Sequence, residues 1–288
     1  MNKRLMGTII PAVVTAFFAL VLFLSGIASA EIKLGTVPRL DAAELQAMYA
    51  PLAEYLSGEI GEKVSVVVPK SFDAYKEAAE SGKFDIGFSN PLVYVEVKHR
   101  ADIEPLALSA EVQSGTRLRG IIIVRKDSGI TRLQDLRNKK ISFMDRDSPA
   151  GYMFQMLLLS RAGLDVHKDF TVLPFLKRHD KVIMSVIDKT ADAGGIREDE
   201  LGKMKDKTDL SQLRIIGYTD YFPNWPVFAG PKMKKATMDR IRAALLKLKP
   251  NDPLSKKILE PAGLTGFIPV TDMEYDGLRN AAKIVGTP

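Results

Sequence analysis

The chain has 288 residues, no cysteine, three histidines and a formal charge of +6. Lack of cysteine excludes disulfides, thiolate metal sites and a lipid-modified cysteine, so an exported form must rely on its core. The charge excess is mild. It fits attraction to an anionic solute at least as well as to nucleic acid, and no dense basic block interleaved with aromatics of the kind that reads single strands is present.

The first thirty residues read as a leader. Lys3 and Arg4 form a basic start, an apolar run follows from Leu5 to about Leu24, and Ala28-Ser29-Ala30 supplies a small-residue cleavage site. This predicts a secretory signal peptide cleaved after Ala30. An uncleaved anchor is the competing reading, since about 20 apolar residues can span a bilayer. Lys3 and Arg4 are the only charges there, so 39 of the 41 basic residues remain against 35 acidic ones, or +4. The remaining 258 residues suit one large domain or two lobes. A freely soluble exported protein needs an enclosed compartment, which predicts the periplasm.

Strands and helices then alternate. Ile32–Val37 reads as a buried strand, Asp41–Leu56 as a helix capped by Asp41, and Val64–Val68 as a second strand. Ser71–Ser81 is a helix capped by Ser71, Phe84–Ser89 a third strand, and Pro91 starts a third helix. Leu106–Ser109 and Gly120–Val124 are further strands. The pattern repeats with a short helix at Thr131–Asn138, a strand at Ile141–Asp145 and a helix at Ser148–Ala162. Phe170–Phe175, Ala191–Ile196 and Leu213–Tyr218 are strand candidates, with a helix at Asp180–Lys189. From Thr237 onward the chain reads as mainly helical, with turns at Pro250–Pro253 and Gly263–Gly266.

Such alternation predicts an α/β protein of βαβ units with mostly parallel sheets. Two rounds of it predict two lobes, a periplasmic-binding-protein-like arrangement, with Gly120–Arg125 and Trp225–Gly230 as the two crossings. The expected division is 1–30 leader, 31–122 first lobe, 123–227 second lobe, and 228–288 a C-terminal helical part returning to the first. Ligands of open α/β sheets sit beyond the carboxyl ends of the strands. Here those ends carry Pro38 and Arg39, Ser71, Ser89 and Asn90, and Asp145 to Gly151.

The Ser148 segment is the most suggestive of these. Ser148 is a good N-cap and Pro149 fits the first helical position, so a capped helix N-terminus lies at a strand's end. Its free N–H groups and dipole suit an anion. An ordinary capped helix is the competing reading.

The order of several motifs resembles the periplasmic phosphonate-binding proteins of ABC importers, a group that includes phosphite binders. Pro51-Leu52-Ala53-Glu54-Tyr55-Leu56 is similar to the family's first helix. Phe84-Asp85-Ile86-Gly87-Phe88, with Asn90-Pro91 and Tyr94, is similar to its strand and aromatic element. His179-Asp180, Ala191-Asp192-Ala193-Gly194 and the ending Gly266-Phe267-Ile268-Pro269-Val270 with Tyr275 complete the match. The resemblance implies two hinged lobes, a small oxyanion such as phosphonate, phosphite or phosphate in the cleft, an inner-membrane ABC permease as partner, and a monomer. It implies no cofactor and no catalysis.

One departure stands out. The family's anion loop reads Ser-Thr-Ser-Gly, whereas Ser148, Pro149, Ala150 and Gly151 occupy those positions here. Two hydroxyls and one N–H are gone, each lost neutral donor being worth about 1 kcal/mol. The expected ligand is therefore smaller or less demanding of donors than an aminophosphonate.

The candidate ligand contacts, each with its competing reading, are these. Arg39 offers a planar fork to an oxyanion or is a solvated loop arginine. Phe72 and Tyr94 wall the cleft or pack in the core. Asn90 donates to the ligand or caps the helix begun by Pro91. Ser148 supplies a hydroxyl, and Ala150, Gly151 and Tyr152 supply backbone N–H groups. His179 donates to an oxyanion or starts a helix, Asp192 receives a ligand amine or ends a strand, and Trp225 packs on a ligand or stiffens the hinge. No nucleophile elbow, P-loop or dinucleotide fingerprint occurs, and three histidines give little support to zinc. A ligand-sensing subunit for a membrane signalling protein is the alternative function. A hydrolase built on Ser148, His179 and Asp192 is a distant one.

Overall fold

The computed structural model describes residues 31–286, so the expected signal peptide lies outside the described residues. Strand β1 (Ile32–Thr36) pairs in parallel with β2 (Val64–Val67) on one side and β3 (Ile86–Phe88) on the other. Strand β4 (Glu104–Glu111) and two strands that return from later in the chain, β12 (Pro226–Ala229) and β13 (Leu264–Ile268), extend this sheet, each pairing antiparallel with its neighbour. The order is β13-β4-β12-β3-β1-β2.

Both faces of this sheet are covered. On one, Leu45, Leu52 and Leu56 of α1 (Ala42–Ile60) and Ile241 and Leu245 of α7 (Lys235–Lys247) pack on Ile32, Ile86 and Phe267. On the other, Tyr75 of α2 (Phe72–Glu80), Tyr94 of α3 (Pro91–Arg100) and Leu278 of α9 (Asp276–Val285) enclose Phe84 and Phe228. Helix α1 stops where Gly61 takes φ +69° and its N–H reaches Ser57 O, a left-handed cap that glycine adopts without strain.

The second sheet has the order β10-β6-β9-β7-β8. Its strands are β6 (Gly120–Arg125), β7 (Lys140–Phe143), β8 (Thr171–Val172), β9 (Ala193–Arg197) and β10 (Leu213–Tyr218). Ile121, Ile122, Ile123 and Val124 are wholly buried, as a run of β-branched residues covered on both faces must be. Met156 and Leu159 of α4 (Phe154–Arg161) cover one face, and Val182, Ile183 and Val186 of α5 (His179–Ile187) the other.

The chain passes between the sheets twice, and the two passes pair as an antiparallel ribbon of β5 (Arg117–Leu118) with β11 (Phe222–Pro223). Phe154 stacks on Phe222 there at 4.1 Å between centroids. The C-terminal helix α9 packs on α3 and on α4, touching both halves of the molecule.

Several expectations need correction. Both sheets are mixed, because β12 and β13 run against the other strands in the first and β6 against β9 and β10 in the second. The segments read as crossings are largely sheet strands, β6 and β12, and the passes lie beside them. Gly263–Gly266, read as a turn, mostly belongs to β13. Thr131–Asn138 forms only a 3-10 turn at Leu133–Leu136, and Phe170–Phe175 pairs only at Thr171–Val172. The short helix α6 (Glu198–Gly202) was not expected. Asp41 holds the N-cap position without a side-chain cap bond. The shared cause is distance: β12 and β13 complete their ladders with strands remote in sequence, which no local pattern records.

Candidate functional site

A cleft of about 540 Å³ opens between the carboxyl ends of the two sets of strands. Arg39, Tyr49, Phe72, Phe88, Asn90 and Trp225 line it from the first sheet, and Ser148, Ala150, Lys177, His179 and Arg197 from the second.

The first wall is aromatic around one cation. Arg39 follows β1, and its guanidinium donates to Met48 Sδ at 3.2 Å and lies 5.6 Å from the Trp225 ring centroid. Trp225 in turn packs on Phe88, which meets Tyr49 edge-on. Among the described residues Arg39 forms no ion pair. Burial and the nearby Arg197 work against its charge, while contact with Tyr49 and the more distant Glu111 carboxylate favour it, and its pKa is raised. A half-buried guanidinium with a thioether as its hydrogen-bond acceptor has donor capacity left for a ligand.

The second wall is the Ser148 turn. Ser148 caps the helix as expected, its Oγ accepting from Gly151 N at 3.1 Å. The helix opens with a π-helical turn, Pro149–Met153, before α4 proper. Such a turn is common at functional sites. A Cβ on Gly151 would lie 2.6 Å from Ser148 Oγ, 2.7 Å from His179 Cε1 and 2.9 Å from Met144 Cβ, so only glycine fits. Gln155, fully buried, donates to Ala150 O at 2.7 Å and Ile196 O at 3.0 Å, which ties the turn to the sheet. His179 Nδ1 accepts from Arg197 N at 3.4 Å, which leaves the ring proton on Nε2. Burial pushes the His179 imidazole down to about 4, so it is neutral near pH 7.

Two ion-pair systems join the halves across the cleft. On one side Arg197 holds Glu111 through both guanidinium arms, at 2.7 and 3.3 Å, and also binds Asp199. On the other, Lys76 bridges Glu96 at 3.3 Å and Asp147 at 3.2 Å, while Asn90 Nδ2 donates to Asp147 O at 3.0 Å.

Of the expected contacts, Arg39, Phe72, Asn90, Ser148, Ala150, His179 and Trp225 meet in the cleft. Four do not. Tyr94 is wholly buried in the core, its hydroxyl donating to Asp272 Oδ1 at 2.6 Å. Asp192 accepts from Lys140 N at 2.8 Å at the opposite end of its strand. Gly151 spends its N–H on Ser148, and Tyr152 packs between Phe143 and Phe175. The imagined triad fails with them, since Asp192 is bonded elsewhere and His179 Nδ1 faces a backbone N–H. Tyr49, Glu111, Arg197, Asp199 and Lys203 also line the cleft and were not expected. Arg197 was within reach, because it ends a strand whose neighbour, β7, had already been read as opening on the site.

A family model described as "ABC transporter, phosphonate, periplasmic substrate-binding protein" matches residues 34–275. The phosphate-import protein PhnD of Mycolicibacterium smegmatis is 24% identical over 283 residues, covering 89% of this chain and 86% of that one. The tetrathionate sensor histidine kinase TtrS of Salmonella typhimurium is 26% identical over 230 residues, covering 74% of this chain and 39% of the kinase. Among solved structures, PhnD1 of Prochlorococcus marinus in complex with methylphosphonate superimposes with a TM-score of 0.78 at 16% identity, over 90% of this chain and 99% of that one.

Proposed function

Since this chain belongs to the periplasmic substrate-binding proteins of phosphonate ABC transporters, we propose that its cleft carries a small oxyanion of the phosphonate, phosphite or phosphate class to a permease in the inner membrane. The lobes are the two sheets with their helices, and the β5–β11 ribbon is the hinge between them. Arg39 supplies the fixed positive charge. Ser148 Oγ–H, His179 Nε2–H and the Ala150 N–H complete the donor set from the opposite wall. Phe72, Phe88 and Trp225 exclude water around them, which strengthens each hydrogen bond.

The observation that carries this reading is Arg39: a cation in a cleft, in no ion pair among the described residues and reached by the Glu111 carboxylate only at longer range, facing a helix N-terminus. No chemical step is needed, only closure and release. The cleft carboxylates argue against an amino group on the ligand, because Glu111 and Asp199 are committed to Arg197 and Glu200 to Lys203. Titration calorimetry with methylphosphonate, phosphite, phosphate and aminoethylphosphonate tests this. Methylphosphonate and phosphite are expected to bind most tightly, phosphate less so and aminoethylphosphonate weakest; tight binding of aminoethylphosphonate alone would overturn the ligand assignment.

The likeness to TtrS favours a second reading, a ligand-sensing subunit beside a membrane kinase. Uptake assays in a deletion strain separate the two, since only the transport role predicts lost import.

A further inference from the structure

Three polar side chains of the cleft share one property: each has an acceptor atom taken by the protein's own backbone. Asn90 Oδ1 accepts from Val93 N at 3.0 Å, Ser148 Oγ from Gly151 N at 3.1 Å, and His179 Nδ1 from Arg197 N at 3.4 Å. What each has left for a ligand is hydrogen: the second Asn90 amide hydrogen, the Ser148 hydroxyl proton and the His179 Nε2 proton. Arg39 has only donors. The carboxylates that face the cleft are held by cations. Glu111 and Asp199 bind Arg197, Glu200 binds Lys203, and Asp180 binds Arg178. Behind the wall, Asp145 binds Lys177.

We propose that the cleft selects oxyanions by protonation, accepting the form that carries no proton and rejecting the form with an acidic hydroxyl. This rests on the oxyanion reading above. An ionised phosphonate presents three acceptor oxygens to a wall of donors. Its monoprotonated form brings one O–H that must find an acceptor or be buried without one, and a buried donor without a partner is costly. Discrimination of this type is large because the site's polar groups are paired with one form and opposed by the other.

The protein's own groups do not mimic the effect. His179 is the cleft's histidine; burial and the nearby Arg197 and Lys203 keep it neutral, against Glu200 and Asp199, which favour its charge. Were it to gain a proton as pH fell, anion binding would strengthen, the opposite of the trend expected here. Asp199 and Glu200 are held below the usual carboxylate range by Arg197 and Lys203 despite burial. They stay charged across the range of the test.

The experiment is titration calorimetry of the exported chain with methylphosphonate and with sulfate from pH 5.5 to 8.5. Methylphosphonate affinity should rise about tenfold per pH unit below its second ionisation and then level off, because only the competent fraction binds. Sulfate, which has no proton to lose in this range, should show a flat profile. A methylphosphonate affinity in the native chain that is level across the range, or that rises toward acid, would overturn the proposal while leaving the oxyanion reading intact. Absence of binding by both anions at every pH would remove the oxyanion reading, and this proposal with it.

Discussion

Two arginines face one cleft and have opposite surroundings. Arg197, at the end of β9, is held by Glu111 from the other lobe and by Asp199 beside it, and these partners keep its charge in place despite burial. Arg39, beyond the end of β1, has Met48 sulfur and the edge of an aromatic wall. Charge alone would rank them equal. Pairing separates them: Arg197 is spent on joining the lobes, and Arg39 is available to an anion. A count of basic residues in a cleft therefore says little until the carboxylates around each are known.

The sharpest way to break this comparison is to exchange the losses. Arg197→Met strands the largely buried Glu111 and leaves Asp199 only Lys203 at 3.7 Å, and should cost about 3–5 kcal/mol of stability, read as a lowered denaturation midpoint in urea. Arg39→Ala removes no ion-pair partner and should leave that midpoint nearly unchanged. It should instead cost about 2–5 kcal/mol of methylphosphonate binding, measured by calorimetry. Arg39→Lys keeps charge but not the fork and should fall between. If Arg39→Ala lowers stability as much as Arg197→Met does, the two residues are not different in kind.

A smaller effect sharpens the second wall. The folded state holds His179 at about 4, below the ordinary 6.5. Between those values the unfolded chain takes up a proton that the native state refuses, so stability falls as pH drops through that window. The loss is on the order of 3 kcal/mol. His179→Gln should remove this component, visible as a shallower loss of stability from pH 6.5 to 4 than in the parent chain. An identical pH profile in the two proteins would show that the imidazole is not buried as described.

The smallest effect concerns the other lobe-to-lobe contact. Asp147→Asn keeps the backbone carbonyl that Asn90 reaches but removes the partner of Lys76. Lys76 retains Glu96, so the cost should be no more than about 1 kcal/mol. Small-angle scattering of the unliganded variant should show a more open particle; an unchanged profile would mean this pair does not restrain the hinge.

Much of this was legible beforehand wherever the signal is local. Ser71, Asn90 and Ser148 cap their helices as their types and the following residues require, because a cap is decided within four residues. The strands Ile32–Val37 and Ile141–Asp145 were readable from β-branched and aromatic content. Residues whose role depends on remote partners were not. Tyr94 and Asp192 carry cleft-worthy chemistry, yet tertiary packing sends one to Asp272 and the other to Lys140. Glu111 and Arg197 gain meaning only together, brought into contact from different lobes. Gly151 was singled out for its N–H, whereas its value is the absence of a Cβ between Ser148 and His179.

The central claim is that an oxyanion sits between Arg39 and the Ser148 turn. A crystal structure of the exported chain with methylphosphonate tests it directly. The expected result is a phosphonate group bound by the Arg39 guanidinium, Ser148 Oγ and His179 Nε2, with the Arg197–Glu111 pair intact. A phosphonate bound instead by Arg197, with Glu111 released and Arg39 still on Met48, would contradict the account.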